Sequence, residues 1–242
     1  GIGKSLVERY LRKNVHVLAC GRNQEKLDAL LAINKSPNAD LTLVQFDQLK
    51  PLEIEQSLET FPTIDLAILN AGDCEYIDDA MQFNAQLFKR VIDINLSSVA
   101  DLVQTLLPKL KSACQFDPEN NPQLVLVGSS AAMMPFTRAE AYGASKAGLG
   151  YLADSLYIDL YPHNIDVSLV LPGFIKTPLT DKNDFQMPFL MTSAEAAVRI
   201  TDGIENRQRH IAFPKRLIWT LKFASWLPAK WWRTLMLKSQ DS

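Results

Sequence analysis

Val15-His16-Val17-Leu18-Ala19-Cys20-Gly21-Arg22, continuing into Gln24 to Leu31, is the stretch that decides the fold class. A short, mainly apolar run stops at a glycine, and the spacing of apolar residues beyond it becomes helical. Similar runs recur at Leu41 to Phe46, Ile64 to Leu69, Leu124 to Val127 and Ile165 to Leu171, giving five candidate strands. Longer segments with helical spacing lie between them, including Met81 to Leu110 and Ala141 to Leu160. Strands that alternate with helices and are apolar on both faces predict a parallel sheet covered on each side, an α/β doubly wound fold.

Such sheets bind ligands outside the carboxyl ends of their strands. Working outward from the five runs, the residues with chemistry or unusual backbone freedom fall there: Gly21-Arg22, Asp47, Asn70-Ala71-Gly72, Ser129-Ser130 and Pro172-Gly173. The 242 residues, 47% hydrophobic and 21% charged, suffice for one substantial core. No linker, repeat or low-complexity tract divides them, so 1–213 is read as one catalytic domain and 214–242 as an appended segment. A formal net charge of -2 and a pI near 6.0 provide no basic footprint for nucleic acid. Cys20, Cys74 and Cys114 lack metal-site spacing, so no metal is expected, and an odd, unpatterned set fits a reducing cytoplasm.

Tyr142-Gly143-Ala144-Ser145-Lys146 opens a long helical pattern, and positions i and i+4 share a helix face. A phenol with an ordinary pKa of ~10 is a poor base at neutral pH, and a neighbouring cation favours its phenolate. The pair therefore suits acid–base work. Alone it is a weak motif. Ser129, at the tip of a strand and thirteen residues earlier, is placed to hold a carbonyl oxygen or hydroxyl beside the phenol, with Ser130 as the alternative.

Taken jointly, the chain resembles the short-chain dehydrogenase/reductase family along essentially its whole length. Gly1-Ile2-Gly3 is similar to the end of that family's TGxxxGxG turn, and Asn70-Ala71-Gly72 to its NAG motif. Asn95 is similar to its helix asparagine, Ser129, Tyr142 and Lys146 to its Ser and YxxxK positions, and Pro172-Gly173 with Thr177 to its PG-to-Thr segment. The resemblance implies a Rossmann-type domain that interconverts a carbonyl and an alcohol by nicotinamide hydride transfer. Tyr142 is then the general acid/base, Ser129 orients the reacting oxygen, Lys146 binds the nicotinamide ribose and depresses the tyrosine pKa, and Asn95 holds a relay water. Thr177 and the backbone of Ile175 hold the carboxamide, Asp47 meets the adenine edge, and Asn70-Ala71-Gly72 admits a close backbone approach. A homo-oligomer built on the Met81 to Leu110 and Ala141 to Leu160 helices is implied as well.

Arg22 stands where an acidic residue would select NAD, so NADP(H) is expected, with Lys13 or Lys4 adding positive charge. The family's first strand and the TGxx part of its turn would precede Gly1, so the expectation is a truncated version of a longer protein. All four tryptophans, Trp219, Trp226, Trp231 and Trp232, fall near the C-terminus among Lys215, Arg216, Lys222, Lys230, Arg233 and Lys238, with no acid before Asp241. Contact with a membrane surface through 215–238, a lid or subunit contact, and a disordered tail are the readings left open. Phe174, Phe185, Met187, Phe189, Leu190 and Met191, with Met133, Met134 and Phe136, suggest an apolar pocket for a hydrophobic, lipid-like carbonyl. The rivals are a non-catalytic NADP(H)-binding regulatory or scaffold protein at a membrane, and an isomerase or dehydratase on the same fold.

Overall fold

The computed structural model describes residues 1–13, 15–32, 40–117, 119 and 121–238, so 239–242 of the C-terminal segment lie outside the described residues. Helix α1 (Ile2–Tyr10) leads to β1 (His16–Gly21), α2 (Gln24–Leu31), β2 (Asp40–Gln45), α3 (Pro51–Leu58) and β3 (Leu66–Leu69). Next come α4 (Ala85–Ile92), α5 (Ser98–Phe116), β4 (Gln123–Val127), α6 (Glu140–Asp159) and β5 (Asp166–Pro172). The chain closes with β6 (Ile175–Lys176), β7 (Met191–Thr192), α7 (Ser193–Glu205), β8 (His210–Phe213), α8 (Lys215–Ala224) and α9 (Ala229–Lys238). All five strand expectations are met within a few residues. A sixth main strand, β8, escaped notice because its four residues follow Arg207-Gln208-Arg209.

Every strand pairing is parallel among the described residues. β3, β4, β5 and β8 make one sheet in that order, β1 and β2 make a second, and β6 and β7 a small ribbon. Thus β1 and β3 each stand at the edge of their own sheet among the described residues.

Strand β4 shows why a continuous apolar run means burial on both faces. Leu124 and Leu126 point into a core with Ile54, Leu102, Leu106, Leu110 and Leu149 from α3, α5 and α6. Val125 and Val127 point the opposite way, into a core with Leu6 of α1 and Ala196, Ile200 and Ile204 of α7. Fully burying each such side chain contributes roughly 1.5–3 kcal/mol. On the second face α1 is tied to α7 by Arg9 Nε donating to Thr201 Oγ1 at 2.8 Å and by ion pairs of Arg9 with Asp202 and Lys13 with Glu205.

The expected Met81 to Leu110 helix is in fact interrupted. The Asn84 side chain accepts from the Gln86 and Leu87 backbone N–H groups and starts α4 afresh. Between α4 and α5 the chain takes a π-helical turn at Asp93–Ser97, a distortion that re-aims side chains and recurs at functional sites. No helix among the described residues is long and apolar enough to cross a membrane.

Candidate active site

The π-helical turn delivers Asn95 into the interior, where its side chain is 1% exposed. Its Nδ2 donates to the Asp73 carbonyl at 2.8 Å and to Ser145 Oγ at 3.0 Å, and its Oδ1 accepts from the Asp73 N–H at 2.8 Å. Ser145 Oγ in turn donates to the Tyr142 carbonyl at 2.7 Å. The loop after β3, the turn before α5 and the first turns of α6 are thereby locked together. Gly72 belongs to this cluster because a Cβ there would lie 2.9 Å from Asn95 Oδ1 and 3.3 Å from Lys146 Nζ.

Ser129 leaves the end of β4 with its Oγ accepting from the Ala131 N–H at 3.1 Å, and its hydroxyl is near enough to favour the Tyr142 phenolate. Ser130 is equally buried, and of the two it is the Ser129 hydroxyl that acts on the phenol. Lys146 is buried, donates to the Val127 carbonyl at 3.0 Å and stands 5.9 Å from the centre of the Tyr142 ring. Burial lowers the Lys146 ammonium to about 8. Burial also pushes the Tyr142 phenol up to about 12, with the Ser129 hydroxyl acting the other way. The phenol thus lies above its ordinary value rather than below it, because its desolvation, with Cys74, outweighs the Ser129 hydroxyl. At neutral pH this arrangement holds a proton on Tyr142 ready to give away, beside a cation.

The glycine-rich turn and the strand ends assemble around the same place. Gly1 caps α1, and a Cβ on it would meet Thr177 Cγ2 at 3.5 Å. Ile2 and Gly3 form the first turn, and a Cβ on Gly3 would meet Asn70 Nδ2 at 2.9 Å. Ala71 links Asn70 to Gly72. Thr177 Oγ1 lies 3.3 Å from Thr180 Oγ1, which donates to the Ile175 carbonyl at 2.6 Å. Pro172 ends β5, and the Gly173 N–H donates to the Phe213 carbonyl at 2.7 Å.

Arg22 and Asp47 sit apart from the catalytic cluster, at the carboxyl ends of β1 and β2. Arg22 is exposed, with its carbonyl accepting from Gln45 Nε2. Asp47 uses one carboxylate oxygen to accept from the Leu49 N–H. Gln48 ties this loop to the π-helical turn by donating to the Ile94 carbonyl at 2.8 Å. The expectation for Lys13 is corrected: it pairs with Glu205 and lies over the Tyr10 ring at the far end of α1. Lys4 and Lys26, and against them Glu8, lie near enough to act on the start of α1, where burial is the larger influence. A helix N-terminus, a glycine whose Cβ would crowd Asn70 and nearby cations fit a dinucleotide's phosphates.

Residues not singled out from the sequence complete the wall. Cys74 lies close enough to act on Tyr142, Lys146 and Tyr76. Tyr76 donates to Asn183 Oδ1 at 2.9 Å, and Arg138 pairs with both Asp78 and Asp184 while covering the Tyr76 ring. Arg138 therefore pins the 183–191 loop against the loop after β3. Phe185 packs edge-on to Tyr76 and Phe174, while Met133, Met134, Phe136 and Phe174 pack under α8 and α9. Long-range partners of this kind leave no local sequence pattern.

A family model described as short chain dehydrogenase matches residues 1–187. An uncharacterized oxidoreductase of Myxococcus xanthus is 30% identical over 232 residues, covering 94% of this chain and 89% of its own length. A short-chain dehydrogenase from Sphingobium yanoikuyae in complex with NADPH superposes with a TM-score of 0.77 at 22% identity, covering 100% of this chain and 90% of its own. A 3-oxoacyl-[acyl-carrier protein] reductase with bound NAD from Brucella melitensis gives a TM-score of 0.74 at 19% identity, with coverages of 88% and 84%. The two structures share the fold and differ in the nicotinamide cofactor that they hold.

Proposed function

This chain belongs to the short-chain dehydrogenase family and is an NAD(P)-dependent oxidoreductase acting on CH–OH or C=O groups, and from that premise we propose that it uses NADP(H) to reduce an apolar carbonyl compound. The observation that carries the chemistry is the locked group of Asn95, Ser145, Tyr142, Ser129 and Lys146. Lys146, with the turn from Gly1 to Gly3, the Asn70 to Gly72 loop and Thr177, would hold the cofactor. When bound, the nicotinamide supplies the hydride to the carbonyl carbon.

The chain's own residues do the rest. Ser129 donates to the substrate oxygen and fixes it beside the phenol. Tyr142 delivers its proton to that oxygen as negative charge develops there, leaving a phenolate. The Lys146 ammonium, within reach of the ring, stabilises that phenolate. Asn95 holds the loop after β3 in register with α6, and so keeps the floor of the site in place. Oxidation of the alcohol is the reverse, with Tyr142 accepting the proton.

Exposed Arg22 and the cations at Lys4 and Lys26 support a preference for the extra phosphate of NADP(H). Met133, Met134, Phe136, Phe174 and Phe185 support an apolar substrate. The exposed Tyr151 and Ile158 on α6 support a homo-oligomeric contact through that helix. The test is consumption of NADPH and of NADH with a panel of apolar ketones and aldehydes beside polar ones. Faster turnover with NADPH and with the apolar compounds is expected. Equal or better use of NADH, or turnover confined to polar substrates, would overturn the corresponding half of the proposal.

A further inference from the structure

Helices α8 and α9 have two differently used faces. Leu217, Leu221 and Ala224 of α8 and Trp232 of α9 are buried against Met133, Met134, Phe136 and Phe174. Trp232 Nε1 donates to the Pro135 carbonyl at 2.6 Å, and its ring meets Phe136 edge-on. This inner face satisfies the body of the protein and accounts for one tryptophan of four.

The outer face is of another kind. Trp219, Phe223 and Trp226, spaced i, i+4 and i+7, are 68%, 65% and 85% exposed. Trp231 and Leu235, i and i+4 on α9, are also exposed. Lys215, Arg216, Lys222, Lys230 and Arg233 are exposed among them, and no Asp or Glu occurs between Glu205 and Asp241 in a chain of formal net charge -2. Lys222 lies over the Trp219 ring at 5.6 Å. Contiguous exposed aromatics of this size mark an interaction surface.

We propose that the outer face of α8 and α9 docks on an anionic lipid bilayer surface, seating Trp219, Phe223, Trp226 and Trp231 at headgroup level and the surrounding lysines and arginines on lipid phosphates. Tryptophan, apolar along its body and polar at its N–H, suits that boundary, and the flanking lysine stems extend over apolar surface while their ammonium groups stay in water. Charge complementarity selects the occupant: a second copy meeting this face through the same face would bring two acid-free basic patches together. The docking does not rest on the proposed chemistry. It would set the Met133 to Phe136 wall of the site immediately behind the bilayer-facing helices.

The test uses the full chain, co-sedimented with vesicles of phosphatidylcholine plus phosphatidylglycerol and with vesicles of phosphatidylcholine alone, while tryptophan emission is followed. Binding only to the anionic vesicles, with a blue shift and a loss at high salt, is expected. Each of Lys215→Glu, Arg216→Glu and Lys222→Glu should weaken binding by about fivefold or more. The triple variant Trp219→Ala, Phe223→Ala, Trp226→Ala should lose the blue shift and nearly all binding. All of these positions are exposed, and unchanged cofactor binding verifies that the variants are folded. Equal binding to both vesicle types, or parent-like binding by the triple variant, overturns the proposal. So does sedimentation equilibrium or a single-stranded oligonucleotide titration in which the same variants abolish self-association or nucleic-acid binding while no vesicles are bound.

Discussion

The two sheets of this protein are built from similar apolar runs and supported very differently. Strand β4 is buried at every position, whereas of β1 only Ala19 is fully buried. Three of the side chains proposed for the chemistry lie beside the first: Ser129 follows β4, Lys146 donates to the β4 carbonyl of Val127, and α6, which carries Tyr142, packs its buried face on the same core. The residues expected to select the cofactor, Arg22 and Asp47, hang from the second. The residues placed for the chemistry thus sit beside a strand buried along its whole length, and those expected at the cofactor's phosphate beside a less buried one.

Four perturbations break or sharpen that contrast. Leu126→Ala should destabilise the fold by about 2–5 kcal/mol, since it empties a fully buried site. Leu43→Ala in half-buried β2 should cost about 1 kcal/mol. Denaturant unfolding of both variants checks this, and equal losses would erase the distinction.

The second perturbation concerns the charge buried beside β4. Lys146 has a folded pKa of about 8 against an ordinary value of 10.5, so the unfolded chain binds more protons between those values and stability rises with pH across that window. Below about pH 8 the charged, buried lysine exerts its full penalty. Lys146→Met should therefore be the more stable protein there, by on the order of 3 kcal/mol, with the gap closing toward pH 10.5. A gap that does not change with pH would contradict the desolvation account.

Gly72→Ala places a methyl against Asn95 and Lys146, and about a hundredfold loss in kcat/KM is expected with little change in overall stability. Parent-like kinetics would mean that the cluster tolerates displacement. Arg22→Ala should be the mildest, weakening NADPH binding about tenfold and leaving NADH binding and the melting temperature unaltered. An equal loss for both cofactors would remove Arg22 from its selecting role.

How much of this was legible in the sequence follows the same division. The strands are readable because a strand buried on both faces is apolar throughout, as Leu124 to Val127 is, and α2 because its apolar spacing turns helical after Gly21. β8 was not, because four residues between arginines and a proline carry too little pattern. Tyr142, Lys146 and Ser129 are recognisable by spacing and Asn95 by the family resemblance; the structure places Asn95 against Ser145 of the same helix as Tyr142 and Lys146. Ser145, Cys74, Tyr76 and Arg138 were not recognised, because their partners lie far away in the chain: Arg138 reaches Asp78 and Asp184 across 60 and 46 residues. The interruption between α4 and α5 was hidden for a related reason. A π-helical turn keeps the composition of a helix while re-aiming one side chain, here Asn95.

The central claim is that Tyr142 gives the proton to the substrate oxygen. Its most direct test is a single turnover of NADPH-loaded protein with an apolar ketone, comparing the parent with Tyr142→Phe and titrating NADPH binding by the fluorescence of its reduced nicotinamide. The account predicts unchanged NADPH affinity and a reduction step slowed by about 10²–10⁴. A Tyr142→Phe protein that binds NADPH and reduces the ketone at the parent's rate would contradict it.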